Sequence, residues 1–244
     1  MKQKKQKLPK RKQPFFSFVK KILRLFYKKP KVVCLSGDFE EPSIILSNHV
    51  ALKGPVLNEL YLPVFHATWG AGEMLGHYKM RYDYLRNVFY IKKLGMGKAR
   101  ATLRATFAAM FSKPFYRGMK VLPTWQDSRL FKTVSHSIDI LNDGTSVLIF
   151  PENSDEGYKD ILTEFHAGFV TLAECYYKKT GKDVPVYPVY YHDKAKVTLV
   201  GEPKYVQDYV NKGLTRDEVA EEFRKIVNGL HDKIEAEYME KAKK

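Results

Sequence analysis

The sequence predicts an α/β domain in which a mostly parallel central sheet is flanked by helices, with an amphipathic helix ahead of it. Three observations carry this. From about residue 32 onward, short apolar runs of strand length alternate with stretches of helical period. Near the C-terminus a long apolar stripe opens on a capping pair, the signature of a well-defined helix. The basic charge is concentrated in front of the domain and not within it.

The charge sets the organisation. The 244 residues carry a formal +15. Residues 1–31 hold thirteen Lys or Arg and no acid, the first acid being Asp38. Removing those thirteen from the 42 basic residues leaves 29 against 27 acidic ones, so the body is only +2. This divides the chain into a basic segment, 1–31, and one domain, 32–244, without an internal repeat or a clear linker. The opening "MKQKKQKLPKRKQ" is too polar and self-repelling to fold alone. In "PFFSFVKKILRLFYKK", Ser17, Lys20, Lys21, Arg24 and Lys28 fall on one stripe at helical spacing. Phe15, Phe18, Val19, Ile22, Leu25 and Phe26 fill the opposite side, with Phe16, Leu23 and Tyr27 between. Pro14 suits the first turn. A basic face opposite a Phe/Leu face fits a helix lying in an anionic membrane surface. The alternatives are a helix whose apolar side packs on the domain's own core with its basic side solvated, and a nucleic-acid contact, for which no recognition motif is present.

Within the body, "SIILS" (43–47), "VFHATW" (64–69), "SVLIF" (146–150), "VYPVYY" (186–191) and "KVTLVG" (196–201) read as strands. Phe131, Val134, Ile138 and Leu141 form a helical stripe ending before Gly144. Phe165, Phe169, Leu172, Ala173 and Tyr176 form another, stopped near Gly181. Thr215 and Glu218 make a capping-box pattern ahead of Val219, Phe223, Ile226, Val227, Leu230, Ile234 and Tyr238. "GMGK" (95–98) reads as a turn before a basic helix, since it lacks P-loop spacing.

Other features narrow the class. Cys34 and Cys175 are two lone thiols, which suit a reducing compartment and small buried hydrophobes better than a disulfide scaffold. No apolar run approaches the roughly 20 residues of a membrane span, and Lys20, Lys21 and Arg24 interrupt the one candidate for a signal peptide. His66, His77, His136, His166, His192 and His231 show no metal-ligand spacing, so no metal is expected.

Two motifs fall at comparable places. His49 follows "SIIL", and Pro151-Glu152-Asn153-Ser154 follows "SVLIF". In open α/β sheets, ligands sit beyond the carboxyl ends of parallel strands. If both runs are parallel members of one sheet, His49 and Glu152 open onto one crevice.

The ordered set "LSNHVALKGPVL", "GTSVLIFPENS" and "VPVYPVYY" resembles the PlsC-type glycerolipid acyltransferases, over roughly residues 40–205. Asn48-His49 stands at the family's Asn-His opening, Phe150-Pro151-Glu152 at its Phe-Pro-Glu-Gly block, and Val184 to Val189 at its late proline-containing strand. The resemblance implies a PlsC-like fold and transfer of a fatty acyl group from acyl-CoA or acyl carrier protein to a lysophospholipid or related hydroxyl. It implies no cofactor beyond that donor; the N-terminal helix would then hold the site at the cytoplasmic face of the cell membrane, with no transmembrane helix expected. It makes His49 the general base, with Asn48, Pro151, Glu152, Asn153 and Ser154 at the acceptor.

The chain also departs from the family. The aspartate expected five residues after the histidine is Gly54, next to Lys53. Candidate replacement carboxylates are Glu73, Asp155 and Asp127. Gln126 stands near the place of a phosphate-holding arginine, with Arg129 three residues on. A carboxylate within reach of the imidazole favours an enzyme. An imidazole facing only Lys53, backbone or solvent favours a lipid-binding protein that has lost turnover.

Overall fold

The computed structural model describes residues 8–239; the first seven residues of the basic run lie outside the described residues. Among the described residues, seven strands form one sheet: β1 (Lys31–Cys34), β2 (Ile44–Ser47), β3 (His66–Ala71), β4 (Val121–Thr124), β5 (Ser146–Ile149), β6 (Val186–His192) and β7 (Val197–Val200), in the order β1-β7-β6-β2-β5-β3-β4. Strands β6, β2, β5, β3 and β4 run parallel. β7 returns antiparallel to β6, and β1 lies parallel to β7. The central strand β2 is apolar at every position of Ile44-Ile45-Leu46 because both its faces are covered.

The five strands read from the sequence are all present, and so are the three helical stripes. Their helices are α5 (Leu130–Asn142), α6 (Gly168–Thr180) and α8 (Arg216–Ile234). Gly181 ends α6 in the left-handed conformation that a residue with a side chain resists. The Thr215 hydroxyl accepts from the Glu218 backbone N–H while the Glu218 carboxylate accepts from that of Thr215, so the capping box closes at the head of α8. Phe165 lies outside α6, and Phe131 is exposed on α5.

Of the rest of the domain's fold, pattern showed only the basic helix after "GMGK". β1 and β4 are short edge strands. Between β2 and β4 lie α2 (Lys53–Tyr61), a 3₁₀ turn at Gly72–Leu75, α3 (Tyr78–Asp83), a π-helix at Tyr84–Lys93 and α4 (Lys98–Gly118). α7 (Val206–Val210) precedes α8. Among the described residues, no helix is long and apolar enough to cross a membrane.

The first helix, α1 (Pro14–Phe26), docks in an unexpected orientation. Phe16 is its one buried side chain; its ring meets that of Phe115 at 6.0 Å and covers Gly118, where a Cβ would overlap it. Lys20 pairs with the buried Glu59 at 2.5 Å, and Arg24 donates to the Leu60 carbonyl at 3.4 Å. Phe15, Phe18, Ile22, Leu25 and Phe26 are exposed. Of the apolar side only Val19 packs on the body, beside Phe16; two of the cations face the body and the rest of the apolar side faces out.

Candidate active site

The site begins where β2 ends. The Asn48 side chain continues the ladder onto β6, its amide donating to the Tyr191 carbonyl at 2.9 Å and accepting from the Tyr191 N–H at 2.8 Å. Asn48 is buried, and its side chain holds the end of β2. The chain then folds back sharply. Val50 (φ 42°) and Ala51 (φ 54°) are consecutive left-handed residues, an arrangement a β-branched side chain resists. The turn brings the Ala51 carbonyl onto His49 Nδ1. It also starts α2 against His49, whose carbonyl accepts from the Gly54 N–H at 3.0 Å.

This packing accounts for Gly54. A Cβ there would overlap the His49 carbonyl oxygen and lie 2.8 Å from that of Asn48. In this backbone the position is closed to any side chain. Lys53 points elsewhere, pairing with Asp193 at 2.6 Å. The Ala51 carbonyl does part of a carboxylate's work: it holds the imidazole proton on Nδ1 and leaves Nε2 with its lone pair. It carries no charge with which to stabilise an imidazolium.

β5 is the parallel neighbour of β2, and Glu152 follows it. Glu152 Oε1 accepts from the His49 backbone N–H at 3.2 Å, so the carboxylate touches the histidine's main chain and not its ring. Glu152 bridges to Phe165, and Asn153 bonds Glu164 through its backbone (3.0 Å) and its amide (2.8 Å). The Pro151 carbonyl accepts from the His166 N–H at 2.8 Å. These bonds hold residues 151–166 as a loop over the crevice. From it the Tyr158 ring stacks on the imidazole at 4.9 Å, and the Phe150 ring stands tilted 4.8 Å from it.

The π-helix closes the site from the other side, and such helices recur at functional sites. Lys93 donates to the Ser154 hydroxyl at 2.6 Å and stands 5.6 Å from the centre of the Tyr158 ring. Lys92 pairs with Asp155 at 3.1 Å. Burial is the largest influence on three groups here. It lowers His49 to about 4, with the nearby Lys93 charge acting in the same direction and the Ala51 carbonyl against it. It raises Glu152 to about 7, opposed by the His49 N–H and Lys93. It lowers Lys93, opposed by Asp155 and Glu152. At neutral pH the imidazole is therefore uncharged, and the Glu152 carboxyl holds its proton well above the ordinary carboxylate range.

His49, Glu152 and Ser154 are thus brought together. The three candidate replacement carboxylates are not. Asp155 is paired with Lys92. Asp127 binds Arg129 at 2.6 Å on the surface, and Arg129 lies 3.7 Å over the Trp125 ring. Glu73 sits in the 3₁₀ turn beside a groove lined by His77 and Tyr84. Gln126 is exposed. Among the described residues, no carboxylate hydrogen-bonds the imidazole. Lys93 and Tyr158 escaped the sequence reading because neither belongs to a spaced motif; a lysine pair ending an aromatic-rich helix was the one available sign.

A second cluster bears on metal binding. His192 Nε2 lies 2.7 Å from Glu235 Oε1, and His231 Nε2 lies 3.9 Å from it. The Ala195 N–H, however, donates to His192 Nδ1, which places that ring's proton on Nε2, facing the carboxylate. As arranged, the group is a histidine–carboxylate hydrogen bond joining the turn that follows α8 to β6, not an open ligand set.

No family model matches the sequence, and no curated protein matches it. Among solved structures, the chain is similar to the crystal structure of the 1-acyl-sn-glycerophosphate (LPA) acyltransferase PlsC from Thermotoga maritima. The two are 17% identical, with a TM-score of 0.47, covering 88% of this chain and 80% of that one. A likeness of this degree bears on neither reaction nor substrate.

Proposed function

We propose that the protein is a peripheral membrane acyltransferase that moves a fatty acyl group from acyl-CoA or acyl carrier protein to the hydroxyl of a lysophospholipid or related glycerolipid. The observation that carries this reading is His49 itself: an uncharged imidazole at the carboxyl end of a parallel strand, its Nδ1 proton held by Ala51 and its Nε2 available as a base. The ordered sequence blocks add the reaction class.

In this scheme Nε2 takes the acceptor's hydroxyl proton as the oxygen attacks the thioester carbonyl. The tetrahedral oxyanion collapses, the C–S bond breaks, and the imidazolium returns its proton to the departing thiolate. Lys93 and the Ser154 hydroxyl supply polar groups at the crevice where an oxyanion or an anionic headgroup would be met. The exposed Phe15, Phe18 and Ile22, with Lys20, Lys21 and Arg24 behind and beside them, suit contact between α1 and an anionic leaflet. The missing carboxylate has a kinetic price: the tautomer is fixed, but the developing imidazolium is not offset, so turnover is slow.

A second reading, a lipid-binding protein of the same fold without turnover, is favoured by the imidazole's surroundings. It meets a backbone carbonyl and two aromatic rings and no acid. One experiment separates the two. Thiol release and acyl-lipid formation are followed with both donors over a panel of lysolipids, for the wild type and His49→Ala. Transfer that disappears in the variant supports the acyltransferase; transfer that survives unchanged removes His49 from the mechanism. Tight lysolipid binding without thiol release from either donor establishes the second reading.

A further inference from the structure

α1 by itself leaves a geometric problem. Its anchor, Glu59, is surrounded by Lys20, by His66 at the start of β3, and by Lys120 just before β4. All of these mark the amino ends of the strands, whereas His49 and Glu152 follow the carboxyl ends. β3 has six residues, so the two ends are about 20 Å apart at a strand's rise per residue. A membrane touching α1 alone would lie at the wrong end of the sheet.

α4 spans that distance. Its 21 residues extend about 31 Å at 1.5 Å each. It starts five residues after Lys93, beside the crevice, and ends at Gly118, under Phe16 of α1. Its burial is inverted. The face toward the π-helix carries Ala101, Ala105 and Ala109, all fully buried. The opposite face carries Leu103, Phe107, Met110 and Phe111, between 55% and 68% exposed. These fall at i, i+4, i+7 and i+8, one continuous stripe. A groove of about 380 Å³ lined by Phe15, Lys113 and Pro114 joins its end to α1.

We propose that this stripe is a second membrane contact, which works with α1 to lay the protein along an anionic bilayer with the crevice meeting the leaflet at the head of α4. Charge selects the occupant. α4 contains Lys98, Arg100, Arg104, Lys113 and Arg117 and no acid, and α1 likewise has cations only. Anionic headgroups neutralise such a rim, whereas a second copy of the chain would bring two cationic rims together. The inference rests on the membrane part of the proposed function and is independent of its chemistry.

The test is sedimentation with phosphatidylcholine vesicles, with and without phosphatidylglycerol. The wild type is expected to bind the anionic vesicles, more weakly as salt rises. The combined variant Leu103→Ser, Phe107→Ser, Met110→Ser, Phe111→Ser is expected to lose at least about tenfold in affinity with α1 intact, since each buried apolar side chain contributes to interfacial binding. Phe131→Ser, an equally exposed aromatic on α5, is expected to bind as the wild type does. Circular dichroism of the combined variant controls for folding, and Phe107→Ser alone gives a graded loss if the full set unfolds. Wild-type affinity in both α4 variants overturns the inference, as does a lipid-free dimer that the variants abolish. Acyl transfer to a water-dispersed acceptor is scored separately, so failure of the docking surface and failure of the chemistry are distinguishable.

Discussion

The Cα of Gly54 stands against the backbone carbonyl of His49, where a Cβ would overlap the oxygen. In an exposed helix interior, glycine to alanine usually gains about 1 kcal/mol. Gly54→Ala is expected to do the reverse and lower the urea midpoint, because the obstacle is backbone and cannot rotate away. Gly54→Asp, which writes the expected acid back into the sequence, is expected to be less stable still and to leave acyl transfer no faster. A raised midpoint for the alanine variant would show that the contact does not exist.

His49 and Glu152 shift stability with pH in opposite directions. His49 falls from 6.5 to about 4 in the folded state, so its contribution is complete above its unfolded value and is lost as pH drops from about 6.5 toward 4. At 1.36 kcal/mol per unit, that loss is on the order of 3 kcal/mol. Glu152 rises from 4.5 to about 7, so the folded state keeps the proton longer and stability is lost as pH climbs from about 4.5 to 7. Across the shared window the two partly cancel. Urea midpoints of Glu152→Gln are expected to rise with pH there more steeply than those of the wild type, and those of His49→Gln to rise less or fall. Parallel curves for all three proteins would refute both assignments. If the protein turns over, an inflection near pH 7 that vanishes in Glu152→Gln marks that carboxyl in the rate.

Left-handed backbone at Ala51 places its carbonyl on the imidazole, and such a conformation costs about 1–2 kcal/mol in a residue with a Cβ. Ala51→Gly removes that cost but widens the unfolded ensemble, so the expected net gain is about 0.5–1 kcal/mol. The same change loosens the turn that orients His49. A rise in thermal midpoint together with slower transfer, or with weaker lysolipid binding if there is no turnover, is the expected pair of results. A destabilised variant would mean that the turn is held by something other than its backbone.

What the sequence disclosed and what it hid follow from the same physics. β2, β5 and β6 were legible because central parallel strands are apolar on both faces, and α8 because its apolar stripe and its cap agree. His49 and Glu152 could be placed at one crevice from strand ends alone. α4 showed in the sequence only as the basic helix after "GMGK"; its packing was hidden because its buried side is alanine and its exposed side is Leu, Phe and Met, the opposite of what periodicity assumes. For α1 the pattern gave the helix but not its docking: Phe16, a flank residue in projection, became the anchor because Gly118 leaves room for its ring. Gly54 could be read as a lost aspartate, but not as a position closed by the histidine's own backbone. Lys93 and Tyr158 reach the site from distant segments, and no local spacing records that convergence.

Glu59 is the buried anion that fixes the orientation of α1. Its side chain is 4% exposed and lies 2.5 Å from Lys20, 2.9 Å from Lys120 and 3.7 Å from His66. Burial pushes its carboxyl up, but His66, Lys120 and Lys20 together hold it below the ordinary value. The contribution is therefore present above the unfolded carboxylate range and is lost as pH falls through the folded value. Glu59→Ala leaves Lys120 buried without a counter-charge, and breaking a buried pair from one side costs about 3–5 kcal/mol. The loss should be structural as well as energetic, since the Lys20 ammonium loses its counter-charge and keeps only the Glu59 backbone carbonyl (3.4 Å), leaving α1 to the Phe16 and Val19 packing, the Arg24 contact and the Tyr61–Tyr27 hydrogen bond (2.6 Å). Limited trypsin digestion is expected to cut at Lys20 or Lys21 faster in Glu59→Ala than in the wild type, before the body unfolds. Lys20→Met is the counterpart: it leaves Glu59 paired with Lys120 and is expected to speed the same cleavage at Lys21 with little change in the urea midpoint. Equal cleavage rates in all three proteins would show that α1 is not held through this carboxylate.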